Sequence, residues 1–422
     1  MRRLMLCVVG FCLLTSGARA QEHRLGEYKN AARAAPQDAD ASLALGRALR
    51  RAGRFNEARQ ELQRGLSLAA GRSGPSALAL RYEVARTYMD EHRFRDAINA
   101  CRAIGTGALG HACIANAHMI WRRATEALPE VELALKEDPT LYEARVAEAG
   151  ARWLEGSMGD AERILIGIIA AEPKRLEGRL LLGDLYAAQG KREQALEAYK
   201  AARATDPDDP DAAYAVGNLV ASPAEAAEAL EAAVAGRPSF GAAWARLAEI
   251  RLAQGRLAEA EKASLIAIKL DPKQADWHVG LARIYQSQKR IKEGLNEARA
   301  ALKIVGNSAA AKLVEADLLA EQGELDPALE AYQAAFGLDR MNPRPLVHAS
   351  GACLAAGRET SAKAFAERAT QQFPKFGPGW VALGDVHAKG KEPTDARKAY
   401  ETALGREGTD AEEVRRKIAA LH

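Results

Sequence analysis

The chain has 422 residues, 48% of them apolar but only 5% aromatic, with 59 Lys and Arg against 56 Asp and Glu. Residues 1–20 carry three of those arginines and no acid, leaving 56 charges of each sign, which excludes bulk attraction to nucleic acid or anionic lipid. Beyond residue 20 only Cys101, Cys113 and Cys353 remain, too few for a scaffold built on disulfides.

Taken in chain order, residues 1–20 read as a secretory signal peptide: Arg2 and Arg3, an apolar run from Leu4 to Leu14, and the small-x-small site Ala18-Arg19-Ala20. The run is shorter than the ~20 residues of a membrane span, and no later run approaches that length. The mature protein is expected to be soluble and periplasmic or secreted. In the segment 21–38, Leu25 to Ala35 predicts one unpaired helix. From residue 39 onward small residues recur at steps near 34: Gly183, Gly217, then a shorter step to Ala248, then Ala282, Ala316, Gly351 one residue late, and Gly384. Their surroundings recur as well, as "LLLGDLY", "GLARIY" and "VALGDVH". A second small residue follows twelve positions later at Ala58, Ala97, Ala195, Ala260, Ala328 and Ala396, and many periods close on Pro, as at Pro139, Pro207 and Pro272.

This spacing predicts eleven helix-turn-helix units whose first helices start near Ala39, Leu78, Ala108, Tyr142, Leu176, Pro210, Gly241, Ala275, Ala309, Arg344 and Gly377. Two helices approach closely only where small residues meet, Gly190 suits a left-handed helix end, and Asp206-Pro207 stops the second helix. The stretch 70–76, "AGRSGPS", interrupts the period as a candidate hinge. His118 and Pro129 make the third unit atypical, and Ser222-Pro223 shortens the sixth. Gly167 and Gly294 fall inside predicted helices and should weaken them. Residues 410–422 read as a capping helix, with Asp410 and Glu413 as its capping box and Val414, Ile418 and Leu421 as an apolar stripe.

Over residues 22–409 the pattern resembles the tetratricopeptide repeat, a helix-turn-helix unit of about 34 residues. The resemblance implies an all-α solenoid, a right-handed superhelix whose first helices line a concave surface that binds peptides or partner proteins. It also implies that positions 2, 5, 9 and 12 of each first helix face inward. Position 9 then runs Arg47, Arg86, Asn116, Gly150, Asp184, Asn218, Glu249, Arg283, Asp317, Ala352 and Asp385, basic at the start and mostly acidic in the second half. Position 12 places Arg50, Met89, Met119 and Trp153 in the first four units, with Tyr82 at position 5. One reading makes Tyr82, Met89, Met119 and Trp153 an anchor for an apolar segment while Arg47, Arg50 and Arg86 meet a carboxylate. The other makes them core or helix-packing residues, and the acidic column a solvated face.

Cys101 and Cys113 fall on helices expected to pack together, so an oxidising compartment would allow them to bond; the alternative is two small core thiols. Cys353 reads as buried and unpaired. His111 and His118 lie near the two cysteines, but the spacing fits no zinc pattern. No Gly-x-Ser-x-Gly, phosphate loop, His-Glu-x-x-His or haem-attachment motif occurs, and no catalytic or cofactor site is expected. Two uses follow from the resemblance: a non-enzymatic exported scaffold for a protein or peptide, or an accessory part of an envelope machine for polysaccharide export, pilus or outer-membrane assembly.

Overall fold

The computed structural model describes residues 23–69 and 74–421; the signal-peptide segment and residues 70–73 of the candidate hinge lie outside them. The fold is all-α, a solenoid of helical hairpins. The only extended pairing among the described residues is one isolated bridge, Phe376 to Glu407. The chain divides into two compact units, Met1–Ile250 and Arg251–His422, with the boundary inside a helix.

The first unit begins with α1 (23–34), whose Leu25 and Ala32 bury against Leu45, Leu49 and Ala58. Six hairpins follow: α2 (Ala39–Arg51) with α3 (Phe55–Leu68), α4 (Pro75–Asp90) with α5 (Phe94–Arg102), and α6 (Ala108–Ile120) with α7 (Ala124–Glu137). Next come α8 (Tyr142–Leu154) with α9 (Met158–Ala171), α10 (Glu177–Ala188) with α11 (Arg192–Thr205), and α12 (Pro210–Leu219) with α13 (Pro223–Gly236). Helix α14 (Gly241–Ala253) carries the chain across the boundary. The second unit holds α15 (Leu257–Leu270) and the hairpins α16 (Ala275–Ser287) with α17 (Ile291–Ile304) and α18 (Ala309–Gln322) with α19 (Leu325–Leu338). It continues with α20 (Arg344–Ala355) and α21 (Glu359–Gln372), then α22 (Gly377–Lys389) and α23 (Pro393–Ala403), and ends with α24 (Ala411–Ala419). Helix α4 starts three residues before the Leu78 read from the period, because Pro75 takes the first helical turn, where its missing N–H costs nothing.

All the hairpins but α12–α13 share one turn geometry. Gly53, Gly156, Gly190, Gly255 and Gly323 all have positive φ where the first helix stops, and at the same place His92, Arg122, Lys289 and Lys391 adopt φ of 56–59° despite having side chains. Second helices stop where Asp138, Asp206 and Asp271 are forced extended ahead of a proline. Their carboxylates then accept from the backbone N–H two residues on, at 2.9 Å in Thr140 and 3.0 Å in Lys273.

Small residues sit where the helices cross. A Cβ on Gly183 would lie 2.4 Å from the Tyr199 ring, and one on Gly384 equally close to Tyr400. Two sequence expectations change here. In the repeat of α20 the crossing residue is Ser350, 1% exposed and donating to the Ala362 carbonyl at 2.8 Å, while Gly351 points to solvent. The period is therefore unbroken from Ala316 to Gly384, and the groove columns there hold Gly351 and Leu354 instead of Ala352 and Ala355. Gly294, read as a helix weakener, occupies a crossing: its Cβ would be 3.1 Å from Leu318.

Candidate functional site

The first helices of the first unit stack on one another, α2 on α4, α4 on α6, α6 on α8 and α8 on α10, and their inner face encloses a cavity of about 210 Å³. From α4 come Tyr82, Arg86 and Met89; from α6 Asn116, Met119 and Ile120; from α8 Tyr142, Glu143 and Val146. Arg175 and, on α10, Glu177, Leu180, Leu181 and Asp184 complete it. Met119 reaches this place because its neighbour is Gly150, where a Cβ would collide with the Met119 Cγ at 2.5 Å.

Four of the proposed anchor and charge residues, Tyr82, Arg86, Met89 and Met119, thus meet at one cavity, though Met89 is only 3% exposed and packs with Ala85, Cys113 and Ala117. Trp153 is not among the lining residues; it covers the core between α8, α9 and α10 around Val146, Leu165 and Leu185. The arginines already have carboxylates of this chain. Arg47 Nε and Arg50 Nε donate to the two oxygens of Glu83 at 2.9 and 3.0 Å, and Arg50 Nη1 to Asp90 at 2.6 Å. Burial would raise the Glu83 pKa, but the guanidinium groups of Arg50, Arg86 and Arg47 outweigh it and hold the group down at about 2. Arg50 is almost fully buried in this network, so it is a structural cation and not a ligand contact.

Arg86 reaches across the groove to Glu177, Nη1 to Oε1 at 3.3 Å, joining helices three hairpins apart. Arg175 lies over the Tyr142 ring at 3.6 Å, donates to Glu143 at 2.9 Å and stands 3.6 Å from Glu177. Asn116 Nδ2 is spent on the carbonyls of Ala112 and Glu143. Glu143, Arg175, Glu177, Leu180 and Leu181 were missed as site residues. The position-2 and position-5 columns held most of that signal, with Glu143 and Glu177 in the first and Leu180 in the second.

The first hairpin of this unit also touches its later loops. Arg51 Nη1 pairs with Asp206 at 2.7 Å, Arg24 pairs with Asp208, and Arg237 donates both to the Arg51 carbonyl at 3.1 Å and to Asp211 at 2.9 and 2.7 Å. Gly53 is required there twice over: its φ is +72°, and a Cβ would fall 2.1 Å from Ser239 Oγ.

Cys101 and Cys113 form a disulfide between α5 and α6, with Cα atoms 5.4 Å apart. Both thiols are therefore unavailable to a metal, and His111 is engaged with Glu130 at 2.6 Å. Cys353 is buried and free.

Two family models match the chain, both described as tetratricopeptide repeat: one over residues 25–78 and 152–219, the other over 220–275 and 352–412, together more than half of the sequence. The chain belongs to the tetratricopeptide repeat family. Proteins of this family are typically non-catalytic scaffolds that bind other proteins. No curated protein matches the chain. Among solved structures, this tetratricopeptide repeat protein is similar to the Cut9–Hcn1 hetero-tetramer of the APC/C at 13% identity, covering 96% of this chain and 94% of that one, with a TM-score of 0.48. It is similar to yeast Tom70 at 12% identity, covering 90% and 94% with a TM-score of 0.47. Pseudomonas aeruginosa PilF matches at 21% identity, covering 51% of this chain and 97% of its own, with a TM-score of 0.43. Among the described residues no helix is long and apolar enough to cross a membrane.

Proposed function

We propose that the protein is an exported, non-enzymatic scaffold that binds an extended peptide, or an extended segment of a partner protein, along the inner face of its first unit. The observation that carries this reading is the cavity between α4, α6, α8 and α10, where apolar side chains stay accessible while most of the charged groups around them are paired with each other. A cavity of about 210 Å³ takes side chains and not a folded domain. The Cys101–Cys113 disulfide supports a periplasmic or secreted location, since thiols are kept reduced in a cytosol.

A photo-crosslinking amino acid in place of Tyr82 in the full-length protein, expressed in its native host, tests this directly. A discrete adduct is expected from that position and none from Ile166, which is 52% exposed on α9. Equal labelling from both positions, or from neither, overturns the reading.

A further inference from the structure

We propose that the first-unit cavity selects an extended segment in which an apolar side chain is accompanied by a positive charge, the charge resting on Asp184. This rests on the groove reading above and reverses the polarity that the arginine column suggested. Of the charged residues around the cavity, Arg86 pairs with Glu177 and Arg175 with Glu143, two cations against two anions. Asp184 is the fifth. Its Oδ1 accepts the Tyr199 hydroxyl at 2.6 Å, a neutral donor that leaves the carboxylate's charge unbalanced.

The second unit shows how the same position is completed. Asp317 and Asp385 accept from Tyr332 and Tyr400 at 2.7 Å in the same way. Each also has a basic neighbour from the next helix but one, α20 or α24: His348 Nδ1 lies 2.8 Å from Asp317, and Lys417 Nζ lies 2.6 and 2.8 Å from the two oxygens of Asp385. Those bases follow their aspartates by 31 and 32 residues. At the corresponding distance from Asp184 the chain has Ala215 and Val216, which supply no charge. Burial raises the Asp184 pKa against the lowering effect of the Tyr199 hydroxyl, and the one side-chain charge that acts on it there is another acid, Asp211, which raises it further. A ligand cation would do at Asp184 what Lys417 does at Asp385.

The shape of the groove settles the conformation of the occupant. The Arg86–Glu177 pair bridges α4 and α10, so an α-helix, about 10–12 Å across with its side chains, does not fit between them. An extended chain can place one side chain against Tyr82, Met119 and Leu181 and the next charge on Asp184.

The test uses a phage-displayed library of random twelve-residue peptides selected against the full mature protein, followed by titration of the enriched peptides in solution. Enrichment of Leu, Ile, Met or Phe next to Lys or Arg is expected. Asp184→Asn should then weaken the best peptide about ten-fold, the size of one charge-assisted contact, while leaving the helical melt in place because Asn still accepts from Tyr199. Acidic neighbours in the selected peptides, or unchanged affinity in Asp184→Asn while Leu181→Asp abolishes binding, would overturn the charge preference and leave the groove reading standing. Peptides indifferent to both substitutions, or no enrichment at all, would overturn both.

Discussion

The Tyr199 hydroxyl donates to Asp184 Oδ1 at 2.6 Å, from the second helix of its hairpin to the first. The bond recurs at Tyr332 to Asp317 and Tyr400 to Asp385, always fifteen residues apart. It explains much of the acidic column: these carboxylates are acceptors for buried tyrosines, and the glycine just before two of them makes room for the ring. Gly183→Ala should therefore destabilise the protein by about 1–3 kcal/mol through overpacking against Tyr199. Tyr199→Phe, which keeps the ring and loses the charged hydrogen bond, should cost about 1.5–3 kcal/mol. Urea denaturation of both variants checks this; a neutral Gly183→Ala would mean that the two helices stand further apart.

Arg122 holds a left-handed turn, φ 59°, where six hairpins among the described residues use glycine. A side chain in that conformation costs roughly 1–2 kcal/mol, partly offset because glycine would lose more chain entropy on folding. Arg122→Gly should raise stability by about 0.5–1 kcal/mol, and Gly190→Ala should lower it by a similar amount, both read from denaturation midpoints.

Glu83 gives the first unit an acid-sensitive joint. Its folded pKa, about 2, lies below the ordinary 4.5, so its contribution is complete above pH 4.5 and drains away as pH falls toward 2. The shift corresponds to a contribution on the order of 3 kcal/mol. Wild-type stability should fall more steeply between pH 5 and pH 3 than that of Glu83→Gln, which begins lower because it leaves Arg50 buried with a weaker partner. Parallel slopes for the two proteins would contradict the network.

The contact between the first hairpin and the loop after α13 can be trapped. A Cβ at Gly53 would stand 3.5 Å from the Ser239 Cβ, within the span a disulfide bridges. The pair Gly53→Cys with Ser239→Cys should crosslink under mild oxidation, seen as a gel shift reversed by reductant and absent from either single variant. Failure of the folded double variant to crosslink would mean that the first unit does not close there.

Reduction of Cys101–Cys113 removes a loop closure of twelve residues, worth about 3 kcal/mol by chain entropy. The Tm should drop in reductant, and the Cys101→Ser with Cys113→Ser variant should already show the lowered value with no further response. An unchanged Tm in reductant would deny the bond a part in stability.

How the site is composed was only partly legible in advance. The column that carried Tyr82, Arg86, Met89 and Met119 is local information, since residues four apart on a helix share a face whatever lies opposite. Trp153 obeyed the same column and still went to the core, because the neighbouring helices offered it Val146, Leu165 and Leu185. Glu177 falls in the inward position-2 column of its own helix, but its pairing could not be read there; its partner Arg86 lies 91 residues away.

The amino-acid sequence by itself determined the repeat: a small residue every thirty-odd positions, with a turn residue in most hairpins and a proline stop in many, answers local requirements of two helices packed at short range, met within the hairpin's own span. Tertiary structure decided which charges are left over. Whether an arginine is free depends on what the coil brings opposite it: stacking of adjacent hairpins set Glu83 against Arg47 and Arg50, the path over three hairpins set Glu177 against Arg86, and among the described residues no basic side chain pairs with Asp184.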